Sequence, residues 1–79
     1  MTTYIATFFS HFGAIRFNKQ LKSLGLKGTL MPVPRKVSSS CGTCVFYEAA
    51  DPCYALLDED TEAVYEQQEA GAVLLREYE

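Results

Sequence analysis

The segment "SHFGAIRFNKQLKSLGL", Ser10 to Leu26, constrains this chain more than any other, because both ends of a helix are written into it. Ser10 is an N-cap residue, whose hydroxyl can accept one of the amide protons left free in a first helical turn. Ala14, Phe17, Leu21 and Leu24 recur three or four apart and so share one face, with Arg16, Lys19 and Lys22 off it. Gly25 stands where a left-handed residue ends a helix, and Leu26 follows to supply the accompanying apolar contact. A helix with one apolar face must bury that face on something, and its flanks say on what. "TYIATF" before it has the Tyr, Ile, Thr and Phe content of a strand. "KGTLMPVP" after it is extended, but Pro32 and Pro34 withhold ladder donors at alternate positions. Its second half therefore belongs at an edge or outside the sheet. "TCVFYEA" reads as a third strand, with Val45 and Tyr47 on one face and Cys44 and Phe46 on the other.

Beyond Ala50 the pattern is less decided. Asp51 can cap a helix that has Pro52 in its first turn, so "PCYALLDED" is expected as a short helix. "TEAVYEQ" then forms a fourth strand, and "EAGAVLLREYE" a terminal helix or an extra strand. The competing parse runs one helix from about Pro52 to Ala70, with "AVLLREYE" as the last strand. Either parse gives the order βαββαβ, an α+β fold with helices on one face of an antiparallel sheet. The expectation is a ferredoxin-like two-layer sandwich. One domain spans residues 1–79, with its core over about 2–67 and an acidic C-terminal extension over about 68–79.

Composition narrows the function classes. Hydrophobic residues make up 48% and charged residues 22%, which suits a globular chain rather than a disordered one. No apolar run approaches the roughly 20 residues of a membrane span, and "MTTYIATFFSHFG" has neither a charged leader nor a small-residue cleavage site. The expected setting is the cytoplasm, without a membrane partner. Three cysteines cannot all pair within one chain, and a reducing compartment turns attention to reactive thiols and metal ligands. Residues 1–50 carry six cations and one acid, whereas residues 51–79 carry nine acids and Arg76 alone. The net charge of −3 works against nucleic-acid binding, and a polarised surface suits docking to another protein or a solvated acidic face. "CGTCVFYEA" also lacks the basic, Gly-aromatic strand signature of RNA binders. Tyr4, Phe8, Phe46 and Tyr47 are therefore expected in the core and on an open sheet face through which two copies could pair.

The chemistry-bearing stretch is "PVPRKVSSSCGTC", Pro32 to Cys44. A free thiol titrates near pH 8.5 and only the thiolate is a nucleophile. Arg35 and Lys36 place positive charge close to Cys41. Ser38, Ser39 and Ser40 offer hydroxyl donors, and Gly42 lets backbone amides turn inward as an anion nest. Each favours a charged sulfur on Cys41, and equally a persulfide or selenosulfide anion. Such a group has to be reachable by a partner, which fits a carrier better than an enzyme acting alone. The bland alternative is a Ser-rich connector containing one small residue. Cys44 either packs as a small apolar residue or acts as a resolving thiol. Cys53 is expected to pack. A zinc site built from Cys41, Cys44, Cys53 and His11 can be written, but only one C-x-x-C is present, so the second half of the usual signature is missing. Without zinc no resident cofactor is called for. A zinc or dithiol binding module is the alternative function.

With "YIATF", "LKSLGL" and "LMPVPRKVSSSCG" in hand, the chain resembles the selenium/sulfur carrier protein-like family of small bacterial domains. The likeness covers about residues 3–50, with "TEAVYE" a looser match to the family's final strand. It implies a cytoplasmic, non-catalytic carrier that holds sulfur or selenium as a persulfide-type group on Cys41. Loading by a cysteine desulfurase, and delivery to sulfur- or selenium-transfer proteins, are implied with it. The motif positions are Pro34, Arg35, Ser39, Ser40, Cys41 and Gly42. Cys44 departs from the family's small aliphatic residue, and the acidic tail beyond Gln67 runs past its usual end.

Overall fold

Ser10 opens the helix as its sequence demands. Its hydroxyl accepts the Gly13 amide at 3.1 Å, and α1 runs over His11–Ser23. At the far end Leu26 N donates to Leu21 O and Gly25 N to Lys22 O, each at 3.0 Å, with Gly25 at φ +76°. These two bonds satisfy carbonyls of the last turn and require the left-handed conformation that glycine adopts without steric cost. Leu24, expected on the apolar face, is instead 60% exposed, because the chain has already begun to reverse there.

The computed structural model describes residues 1–34, 37 and 39–78. Five strands form one sheet: β1 (Thr2–Phe8), β2 (Lys27–Pro32), β3 (Thr43–Ala49), β4 (Thr61–Gln68) and β5 (Gly71–Glu77). Their order is β2-β3-β1-β4-β5, and every neighbouring pair is antiparallel. β2 is an edge strand that ends at Pro32, the place where a proline costs least, and Pro34 lies outside the sheet. The fold is α+β, one helix over an antiparallel sheet.

The core lies between α1 and one sheet face. Tyr4, Ala6 and Phe8 of β1, Val45, Tyr47 and Ala49 of β3 and Val64 of β4 meet Ala14, Phe17 and Leu21 of α1. Phe17 stands edge-on to Tyr47 with ring centroids 5.0 Å apart, and 5.5 Å from Phe8. Burying such side chains contributes about 1.5–3 kcal/mol each, and edge-on aromatic pairs add roughly 0.5–1.5 kcal/mol. The period-two alternation of β3 holds, since Cys44 and Phe46 fall on the face that α1 leaves uncovered.

The two-helix order is corrected between β3 and β4. The expected helix over "PCYALLDED" is one 3-10 turn, Tyr54–Leu56, and β4 takes residues that the longer helix from Pro52 to Ala70 would need. Asp51 does accept the Cys53 amide, at 2.8 Å, but Cys53 then turns left-handed at φ +59°. Five residues on, the Asp58 carboxylate accepts Asp60 N at 2.9 Å and the Thr61 hydroxyl accepts Asp58 N at 3.2 Å. Short polar side chains that bond nearby amides in this way compete with helix formation, and the stretch between them is too short to nucleate one. Cys53, Leu56, Leu57 and Tyr78 pack against the core in its place. The Arg76 guanidinium lies 5.3 Å from the Tyr54 ring centroid and 4.9 Å from that of Tyr78. Of the two options left for the C-terminal segment, the extra strand forms.

Contact between α1 and β2 depends on Gly28. A methyl group there would run into Asn18 Oδ1 and come within 2.9 Å of Leu21 Cδ1. Gly28→Ala should lower stability by about 1–3 kcal/mol, the usual cost of overpacking, measured as a fall in the urea midpoint. An unchanged midpoint would mean that helix and edge strand do not meet this closely.

Candidate functional site

The segment joining β2 to β3 crosses the end of the sheet. It leaves the edge with Val33 N donating to Gly42 O at 3.1 Å, then turns through a bond from Val37 N to Pro34 O at 3.0 Å, with Val37 buried. Ser39 Oγ donates to Phe8 O at 3.3 Å, at the end of β1. Ser40 reaches β4, where its amide donates to Glu62 Oε1 at 2.9 Å and its hydroxyl to Oε2 at 3.0 Å. A loop that starts at the edge strand is thus fastened to both β1 and β4.

Cys41 follows these anchors. It is half-buried against the core on the helix side, and its Sγ donates to Thr43 O at 3.4 Å. The Ser39 hydroxyl lies 3.9 Å from the sulfur. The Thr43 hydroxyl is 3.3 Å from Nδ1 of His11, the first residue of α1. Cys41 therefore sits beside the junction of β1 and α1. Gly42 has φ +73°, with nothing within 4 Å of an added Cβ, so conformation rather than space calls for glycine.

Of the expected site residues, Ser39, Ser40, Cys41 and Gly42 come together in this loop. Ser39 directs its bond to the Phe8 carbonyl, with the sulfur at the longer distance. Ser40 is turned to Glu62, away from the role of donor to sulfur. Arg35, Lys36 and Ser38 lie outside the described residues. Cys44 has no exposed surface, and its Sγ donates to Pro32 O at 3.7 Å. Burial, and after it the negative charge of a Cys41 thiolate, push the Cys44 thiol up to about 11. Burial also raises the Cys53 thiol, with Asp51 adding to the effect. All three cysteines are free. Among the described residues no three of His, Cys, Asp and Glu gather where they could hold one metal ion, and His11 meets Thr43 instead.

Glu62 and the Phe8 carbonyl were not legible as site groups in the sequence. Their partners are 22 and 31 residues away, and no local spacing signals either bond.

The three thiols should separate by reactivity. In the native protein at neutral pH iodoacetamide should label Cys41 well before Cys44, and denaturant should abolish the difference. A neutral, buried Cys44 thiol adds stability that is complete below the unfolded thiol's pKa and is lost as pH rises towards about 11. Equal labelling of Cys41 and Cys44 in native protein, read by peptide mass, would contradict the placement of Cys44.

No match was found among curated proteins or among solved structures. The family model described as "Putative Se/S carrier protein-like" matches residues 3–66, which take in all but the first residue of β1, α1, β2, the Cys41 loop, β3 and most of β4. With the match extending over most of its length, the chain belongs to the Se/S carrier protein-like family.

Proposed function

We propose that this protein carries sulfur or selenium as a persulfide-type group on Cys41 and passes it to a partner enzyme. The observation that carries the reading is a half-buried, free thiol on a loop pinned to two strands, in a member of this family. In loading, the Cys41 thiolate attacks the terminal sulfur of a donor cysteine persulfide. The new bond joins that sulfur to Cys41, the donor's own S–S bond breaks, and the donor leaves as its thiolate. No net oxidation occurs, and the reverse attack by an acceptor thiolate unloads the group. Selenium in the terminal position follows the same course.

The donor is a cysteine desulfurase or a similar persulfide-bearing protein, and the exchange belongs in the cytoplasm, where thiols stay reduced. Among the described residues no helix is long and apolar enough to cross a membrane. Arg35 and Lys36 supply positive charge to the loaded anion, and the Gly42 turn brings backbone amides towards it. Cys44 is a packing residue, since burial opposes its thiolate. The order β4-β1-β3-β2 is read as a ferredoxin-like sheet, with its second helix reduced to one turn and β5 added at an edge. On the face opposite α1, the half-buried Phe46 and Tyr65 flank the fully buried Ile5 in one row across β3, β1 and β4, and pairing of two copies would cover these two rings.

Incubation with a cysteine desulfurase and sulfur-labelled cysteine tests the assignment. The unaltered protein and Cys44→Ala should acquire label that reductant removes, and Cys41→Ser should acquire none while keeping its circular dichroism. Label on Cys41→Ser at the level of the unaltered protein would end the assignment.

A further inference from the structure

β1 and β4 do not run in perfect register. Thr7 opposes Ala63 and Phe8 opposes Thr61, so Glu62 is an extra residue with no partner on β1. A bulge of this kind leaves a residue unpaired, disrupts the ladder locally and re-aims a side chain. Here the last two of these consequences are taken up by the loop that bears Cys41. The Phe8 carbonyl, at the disrupted position, accepts the Ser39 hydroxyl at 3.3 Å. The Glu62 carboxylate takes both donors of Ser40, at 2.9 and 3.0 Å, immediately before the cysteine. Glu62 itself is held from the far side, where its carbonyl accepts Tyr78 N at 2.8 Å. The bulge is thus bracketed by β5's trailing residue on one side and by the loop on the other.

From this arrangement we infer that Glu62 is the positioning residue of the Cys41 loop. It acts as a clamp that keeps the thiol half-buried with its proton directed at Thr43 O. The inference rests on the carrier reading for its purpose, though not for its physics. Hydrogen bonds to a carboxylate are stronger than neutral ones, and both Ser40 donors converge on a single group. While the clamp is closed, the Ser40 amide is committed to Glu62 and is withheld from sulfur. A docked donor therefore meets Cys41 in one fixed orientation. Opening the clamp would expose the thiol to small reagents while losing the orientation that transfer from a protein needs.

The test is the iodoacetamide labelling rate of Cys41 in the full chain, resolved from Cys44 and Cys53 by peptide mass. Glu62→Ala should label about ten-fold faster, the ratio that corresponds to one bond of about 1.4 kcal/mol. Glu62→Gln, whose amide oxygen still accepts the Ser40 amide, should return most of the way to the original rate. A merely structural role would not predict that rescue. Ser40→Ala, in the exposed loop, should label faster by roughly three-fold and add little when combined with Glu62→Ala, because both break the same clamp. Should Glu62→Ala unfold, shown by equal labelling of all three cysteines, Ser40→Ala decides alone. Rates within two-fold of the original in every folded variant would overturn the inference. Persulfide transfer from a desulfurase, measured on the same variants, keeps the two claims apart. Faster alkylation with no loading in any protein, unaltered chain included, supports the clamp and refutes the carrier. Normal loading with unchanged alkylation does the reverse.

Discussion

How the helix meets the sheet is decided by how Phe17 packs. Its ring stands on Tyr47 and beside Phe8, so one side chain fixes α1 over β3 and β1 together. Ala14 and Leu21, a turn to either side on the same face, complete the contact. Because the helix follows β1 after only Phe9 and Ser10, fixing its axis also fixes where β1 ends and where His11 stands. That end of the sheet is where the Cys41 loop crosses. A core made of packed rings is stiff, and a loop pinned to a stiff end inherits a defined position without a core of its own.

Carboxylates make two ties at the periphery, with different consequences. Arg16 bonds both Asp58, at 2.9 Å, and Asp60, at 2.8 Å, joining the exposed side of α1 to the turn before β4. These groups face solvent, and such pairs contribute little to stability, so the bridge is better seen as orienting the turn. Asp60 O also accepts Phe9 N at 2.7 Å, which brings the same turn against the end of β1. Glu62, two residues later, serves the loop instead. The acidic half of the chain is thus not simply a solvated face. Some of its carboxylates tie the basic half and the Cys41 loop to the sheet.

The parts of the fold that were legible in the sequence share one property: their determinants are local. Ser10, the spacing of Ala14, Phe17 and Leu21, and Gly25 define α1 within sixteen residues, and each does in the structure what its chemistry suggests. The alternation in β3 placed Cys44 opposite Val45, and Pro32 marked an edge. The second helix was misread because a cap signal at Asp51 looks the same whether or not the chain then continues as helix. The left-handed Cys53 and the Asp58–Thr61 turn settle that, and beside the first of them the Tyr47 hydroxyl donates to Pro52 O from a distant strand. At the site, the cysteine and its serines were visible because they are contiguous. Their partners were not, because a bulge in β4 is a property of two strands in register, and one strand's sequence does not contain it.

The central claim, that Cys41 is where sulfur or selenium is held, is tested most directly by the intact mass of the native protein. It would be recorded under non-reducing conditions before and after exposure to a persulfide donor. A gain in whole sulfur atoms that maps to the Cys41 peptide and disappears with reductant is the predicted result. A mass that does not change, or sulfur that maps to Cys44 or Cys53, would contradict the account.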